Sequence, residues 1–262
     1  MTFISMELAS LASVKAGAEN ILSLIPRLDI LIANAGILAP PGVTTDGYEI
    51  QFGTNHLGNA ALTLHLLPLL LATAKSIPNA DVRFVALTSL GYRGHPQEGV
   101  RFDTIRTPQA DLLPALGDWG RYSQSKLANI LFARELSKRY GETHGITSCA
   151  VHPGVVETDF VTELGFWNRA LVRVSQLNRL MTPAQGGVNT VWAATSPDVK
   201  AKLQGKGGRK GERVAFFEPV GRPNSGKDRC FDEALMKKLW EWTEEQVGVK
   251  APAASRNLSP IL

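Results

Sequence analysis

Cysteine is scarce: there are 2 in 262 residues. Cys149 and Cys230 stand far apart, in no CxxC or CxxxH spacing, which argues against a disulfide framework or a zinc site. A reducing, cytoplasmic setting is expected. Charge of one sign is also lacking, since 28 Lys and Arg against 24 Asp and Glu leave a formal +4. The one basic cluster, Lys206, Arg209, Lys210 and Arg213, is interrupted by glycines and has no interleaved aromatics. Nucleic acid is discounted as a partner. The most membrane-like stretch, residues 57–74, contains His65 and Pro68 and reads as a buried helix rather than a transmembrane segment. Residues 1–7 show no basic segment running into an apolar one and no small-residue cleavage site, so a secretory signal is not supported. No GxSxG elbow occurs, which disfavours an α/β-hydrolase. His56, His65, His95 and His152 lack the spacing of a metal site or a triad.

What is present suits one buried core: 44% of residues are hydrophobic and 20% charged. A single domain over residues 1–249 with a disordered tail, 250–262, is expected. Residues 2–6 read as the end of a strand, and Ser10 can cap a helix running through Leu24. Residues 28–33 form a continuous apolar run stopped by Asn34-Ala35-Gly36, as in a strand covered on both faces. The pattern then repeats: helix 55–75, strand 82–88, helix 122–140, strand 146–151, helix 183–194, strand 213–217. Strands alternating with helices of this length predict βαβ units, hence an open, doubly wound parallel α/β sheet. Residues 91–119 lose periodicity and read as a long irregular connection. Residues 159–182 are irregular but apolar, which fits a lid or a surface helix. Residues 228–247 are strongly helical, with Leu235, Leu239 and Trp242 on one face.

Tyr122-Ser123-Gln124-Ser125-Lys126 sets a phenol and an ammonium four residues apart on one helix face. An ammonium beside a phenol stabilises the phenolate and is expected to lower a pKa normally about 10, which would make tyrosine usable as an acid or base near neutrality. Taken alone, the pair reads more readily as an exposed helical contact than as a catalytic one. Order adds weight, because Asn34-Ala35-Gly36 and Thr88-Ser89 close two successive apolar strands and the Tyr122 helix follows both. Ligands in open α/β sheets sit outside such carboxyl ends. Asn55 lies between those strands in Thr54-Asn55-His56-Leu57-Gly58, and His152-Pro153-Gly154-Val155-Val156-Glu157-Thr158 follows the next strand. Gly36 and Gly154 could each be plain turn residues, Thr158 a helix cap and Asn34 a left-handed turn position.

NAG, TNHxG, TSxG, YxxxK and HPGxVxT in this order resemble the short-chain dehydrogenase/reductase family, over residues 2 to about 247. Ile32-Ala33-Asn34-Ala35-Gly36, the run from Tyr122 to Asn129 and Thr182-Pro183-Ala184-Gln185-Gly186-Gly187 are similar to its retinol-dehydrogenase-like branch. The resemblance implies a Rossmann-like fold and an NAD(P)-dependent oxidoreductase interconverting an alcohol and a ketone or aldehyde. Tyr122 would pass the proton, Lys126 would tune it and bind nicotinamide ribose, Ser89 would polarise the substrate oxygen, and Asn55 would hold a water in a proton relay. Asn34, Ala35 and Gly36 would approach the adenosine side of the cofactor. Pro153, Gly154, Val156 and Thr158 would lie at its nicotinamide and phosphate, and Glu7 near its adenine. The resemblance also implies NADP, with NAD as the alternative, a hydrophobic small-molecule alcohol or carbonyl substrate, and a homodimer or homotetramer.

This sequence departs from the family in one respect. The strand and TGxxxGxG turn whose helix N-terminus receives the pyrophosphate have no counterpart here, and the glycines of 205–211 neither follow a strand nor open a helix. The missing portion corresponds to two strands and helices, about 40 to 60 residues. With the family's strand order 3-2-1-4-5-6-7, the strand at 28–33 becomes an apolar sheet edge. Either residues 2–6 slide across to pair with it, which is the expectation, or the edge stays open. Two functions compete: an active oxidoreductase, or a catalytically silent binding or scaffold protein.

Overall fold

The computed structural model describes residues 1–113, 117–156, 180–204 and 214–253. Ser10 accepts a hydrogen bond from the Ser13 amide and caps α1 (Leu11–Leu24), and β1 (Ile30–Ala33) follows. A long helix, α2 (Ile50–Ser76), then leads to β2 (Arg83–Leu87), α3 (Asp118–His144) and β3 (Thr147–Val151). The chain continues through β4 (Val155–Val156), β5 (Leu180–Met181), α4 (Pro183–Thr195) and α5 (Asp198–Leu203). It closes with the pair β6 (Phe216–Glu218) and β7 (Arg222–Asn224) and the helix α6 (Glu233–Val247).

The main sheet has the order β1-β2-β3-β6-β7, with the first four strands parallel and β7 antiparallel to β6. Alternation along the strands divides the core in two. Phe84, Ala86, Ala150 and Phe216 face α2, α3 and α6, while Val85, Leu87, Cys149, Val151 and Phe217 face α4 and α5. Every residue of β2 and β3 is buried, Arg83, Thr147 and Ser148 included. The expected doubly wound sheet is therefore present, with an antiparallel hairpin added at one edge. Register sets Ala33 beside Ala86 and Leu87 beside Val151, so the carboxyl ends of β1, β2 and β3 lie together.

The 2–6 segment departs from expectation. It forms no strand and does not pair with β1; Phe3 is 88% exposed. The residues that follow explain this. Ala9 carbonyl accepts from the Thr45 amide (3.2 Å), Leu11 amide donates to Asp46 (2.8 Å), and Leu8 carbonyl lies where a side chain at Gly58 of α2 would stand. The entry to α1 is thus fastened to α2, away from β1, and Met6 lies against Gly17. The edge is open, with Ile30 and Ile32 each 39% exposed.

Packing also runs past the expected boundary at residue 249: the Ala251 amide donates to Glu244 (2.8 Å) and Pro252 carbonyl accepts from the Tyr140 hydroxyl (2.6 Å). Residues 254–262, most of the apolar 159–182 segment and the Gly- and Lys/Arg-rich stretch at 205–213 lie outside the described residues. The helix α2 is long and apolar enough to cross a bilayer, but 67% of its most apolar stretch is buried inside this fold.

An unpaired apolar edge is a template for strand addition, and a charge on it blunts that tendency. Ile32→Lys is expected to change unfolding free energy by less than about 1 kcal/mol and to raise the protein concentration at which light scattering detects aggregates. An unchanged threshold would show that β1 is not the contact.

Candidate active site

The site is built where β1, β2 and β3 end. Between Gly53 and Gly58 the helix α2 widens into a π turn, with Asn55 in its middle. Such turns free backbone carbonyls, and here the Asn59 amide nitrogen meets two of them, Thr54 O (3.3 Å) and Asn55 O (3.1 Å). The same nitrogen reaches Ala35 O (3.0 Å), tying the turn after β1 to the helix. Asn55 is fully buried. Its Oδ1 accepts from the Ile37 amide (2.6 Å), and its Nδ2 donates to Ile37 O (2.9 Å) and Ser125 Oγ (3.0 Å).

Lys126 comes from α3, which is pinned to the end of β2 by Thr88 Oγ1 donating to Lys126 O (2.8 Å) and by Asn129 Nδ2 donating to Leu87 O (3.0 Å). Its Nζ donates to Leu87 O at a long 3.4 Å and stands 5.4 Å from the centre of the Tyr122 ring. A Cβ at position 36 would stand 3.0 Å from Lys126 Nζ and 3.1 Å from Asn55 Oδ1. Gly36 has an ordinary φ, so it is glycine for space and not for turn geometry. Gly154 combines both demands, with φ +95° and Met181 Sδ at 2.5 Å from where a Cβ would be. Asn34 is not left-handed.

Ser89 caps the short 3-10 turn Leu90–Gly94, its Oγ accepting from the Gly91 amide (3.1 Å). It also hydrogen bonds to Tyr122. A side chain at 91 would crowd both Ser89 Oγ (3.3 Å) and the Tyr122 ring (3.4 Å). Ser89, Tyr122, Lys126, Asn55 and Gly36 are thus brought together, with Asn34 and Ala35 alongside. Pro153, Gly154 and Val156 follow the neighbouring strand end; Val156 pairs with Met181 and packs on Gly186 of α4. Thr158 lies outside the described residues. Glu7 is not joined to this group by any described hydrogen bond: its carboxylate accepts from the Ala9 amide (2.9 Å) and its own amide donates to Ser13 Oγ (2.9 Å), bracing the entry to α1.

Burial governs the electrostatics. It pushes the Tyr122 phenol up to about 12, only partly opposed by the Ser89 hydrogen bond, and the Lys126 ammonium down to about 8. The expected lowering of the phenol by Lys126 is not seen: burial is the leading cause at both groups, and neither shift has the other group among its causes. His56 and His152 are each lowered to about 4, chiefly by burial. His56 sits between Asn129 and Thr243 as a neutral packing residue. Among the described residues no group of three His, Cys, Asp or Glu side chains could hold a metal.

Sequence reasoning missed the supporting residues Asn59, Thr88, Ser125 and Asn129. The i, i+4 spacing of Asn55 and Asn59, and of Ser125 and Asn129, was the available signal.

No family model matches the chain. Individual proteins do. The short-chain dehydrogenase/reductase drtF of Aspergillus calidoustus is 33% identical over 254 residues, 94% of this chain and 76% of that protein. Retinol dehydrogenase 14 of Homo sapiens is 36% identical over 251 residues, 93% of this chain and 66% of that protein. Among solved structures, the NADPH-bound carbonyl reductase from chicken fatty liver superposes with a TM-score of 0.54 at 22% identity, covering 85% of this chain and 76% of that one. That last likeness is one of fold.

Lys126 carries a testable cost. Below pH 8 the amine is charged in both folded and unfolded chains, and the full desolvation penalty bears on the fold; between about 8 and 10.5 the unfolded chain holds the extra proton, so stability rises with pH. Lys126→Met is therefore expected to stabilise the protein by about 3 kcal/mol at pH 7, with the gain vanishing near pH 10.5. Urea denaturation at both pH values checks this, and a gain that does not fade would place the penalty elsewhere.

Proposed function

The chain belongs to the short-chain dehydrogenase/reductase family, and on that premise we propose that it transfers hydride between a nicotinamide cofactor and the carbonyl or alcohol carbon of a hydrophobic small molecule. The observation that carries the reading is the cluster itself: the buried Lys126 ammonium and the Asn55 amide oxygen meet at Gly36, where a Cβ would stand about 3 Å from each, and Tyr122, one helical turn before Lys126, is hydrogen-bonded to Ser89. An ammonium with one long hydrogen bond among the described residues has donors to offer the hydroxyls of a ribose.

When bound, the nicotinamide supplies or takes the hydride. The chain's own residues handle the proton and the position. Ser89 and Tyr122 hold the substrate oxygen by their hydroxyls. The phenol, protonated throughout the physiological range, gives its proton to that oxygen as charge develops there, which favours carbonyl reduction as the direction to assay first. Lys126 binds the ribose and returns a proton to the phenolate. Both donors of Asn55 Nδ2 are engaged, so its place in a relay falls to Oδ1, which faces the same slot as Lys126 Nζ. Tyr122 and Lys126 are 7% and 5% exposed, so bulk water is largely kept from the transfer.

NADPH is the proposed cofactor, by kinship with the retinol-dehydrogenase-like branch and with the carbonyl reductase described as NADPH-bound. A silent binding protein is the second reading.

Titration with NADPH and NADH, followed by nicotinamide fluorescence, is expected to give a Kd on the order of micromolar for NADPH. Tyr122→Phe is expected to cut carbonyl reduction by at least about 100-fold. Failure of both cofactors to bind would leave the silent reading.

A further inference from the structure

Beside the active site lies a second buried cluster to which the reaction gives no part. Arg121, 1% exposed, and Glu49, fully buried, form an ion pair with Nε 3.4 Å from Oε1. Glu49 is the N-cap of α2, accepting from the amides of Gln51 (3.1 Å) and Phe52 (2.6 Å). Arg121 belongs to the first turns of α3, where it also pairs with Asp118 and donates to Gln109 O (3.4 Å) and Ala39 O (3.4 Å). Gln51 repeats the connection from the other helix, its Nε2 donating to Ala39 O (2.9 Å) and Asp118 O (3.0 Å).

These contacts close a ring. Arg121 reaches Ala39, two residues beyond Ile37; Ile37 holds the Asn55 amide group; Asn55 donates to Ser125 Oγ; and Ser125 Oγ donates to Tyr122 O (2.8 Å), the residue next to Arg121. Asn55 and Tyr122, carried by different helices, are thus joined by one circuit that includes the Arg121 guanidinium, and the Glu49 carboxylate at the N-cap of α2 holds that guanidinium from outside the circuit. A buried ion pair is a weak source of net stability, since apolar replacement of both partners is often neutral, whereas removing one partner is costly. What such a pair supplies is a fixed geometry, here a planar guanidinium held from several sides.

We propose that the buried Arg121–Glu49 pair is a positioning device that sets the seat of Tyr122 against Asn55 and Lys126, and through it the rate of proton donation, without touching substrate or cofactor. The effect on rate rests on the oxidoreductase reading; the effect on the seat of Tyr122 does not.

The test compares Glu49→Gln, Arg121→Met and the double variant in protein labelled with meta-fluorotyrosine, the Tyr122 fluorine signal being assigned by its loss in Tyr122→Phe. Each single variant is expected to melt about 10 °C lower, and the double variant to regain most of that loss. In the restored double variant the Tyr122 signal should shift or split while that of Tyr140, farther along the same helix, stays in place. With NADPH and p-nitrobenzaldehyde as the probe, kcat should fall between about tenfold and a hundredfold with KM nearly unchanged. If the double variant does not refold, Arg121→Lys, which keeps the charge and loses the fork, carries the same readouts. An unmoved Tyr122 signal overturns the proposal whether or not the protein turns over, and so does a moved signal with parental kcat. A moved signal in a chain whose parent reduces no probe sustains the positioning role and sinks the oxidoreductase reading instead.

Discussion

The structure depends on placing one ammonium where water is excluded. Lys126 must enter the end of a packed α/β sheet, and it can do so only because position 36 carries no side chain: a Cβ there would meet both Lys126 Nζ and Asn55 Oδ1 at about 3 Å. The nearest compensation is a single carbonyl, Leu87 O, at 3.4 Å. An ammonium so poorly satisfied costs stability, and the neighbouring architecture is arranged to keep it there. Thr88 holds the Lys126 backbone, Asn129 shares Leu87 O, and the π turn swings Asn55 toward the same space. These contacts run from β1, β2, α2 and α3, the elements that also supply the larger of the two cores.

The parallel register makes that convergence possible. Side by side, β1, β2 and β3 end in Asn34-Ala35-Gly36, Thr88-Ser89 and His152-Pro153-Gly154, so three loops from distant parts of the chain open at one rim. The two faces of the sheet then have different work. The α2, α3 and α6 side bears the aromatic packing of Phe84, Phe132 and Trp240, which seats α3 against the sheet. The α4 side fastens the loop after β3, with Val156 seated on Gly186 and Asn189 bonded to the carbonyls of His152 and Phe217.

Elements buried on both faces were legible in the sequence, because burial of every residue in β2 and β3 leaves a mostly apolar run with clear stops. The helix entries at Ser10 and Thr182 were legible through their caps, the latter a capping box with Gln185. The cluster of Ser89, Tyr122, Lys126, Asn55 and Gly36 was legible from the order of its motifs. Three things were not. Residues 2–6 have the composition of a strand, but pairing is decided by where α1 is anchored, through contacts with residues 45, 46 and 58 that no local pattern reveals. The π turn at Asn55 adds no residue type that marks it. The sign of the Tyr122 shift depends on desolvation, which follows from three-dimensional burial, whereas the spacing in the sequence displays only the neighbouring charge.

That sign has a consequence for the proposed reaction. With the phenol pushed up to about 12 and the ammonium down to about 8, Tyr122 holds its proton more tightly than Lys126 does. Once Tyr122 has yielded its proton in the proposed reaction, the opposite directions of the two shifts favour return of a proton from Lys126 to the phenolate. The tyrosine therefore resets within the buried pair, without waiting for water to enter. The price is that Lys126, left neutral, must recover its proton from outside, and the groups around it are few: Leu87 O accepts only, and Asn55 Oδ1 faces the same slot. Had Lys126 depressed the phenol toward neutrality instead, tyrosine would be a stronger acid, but a smaller share of it would hold the proton to be given. Burial of both is what separates their roles.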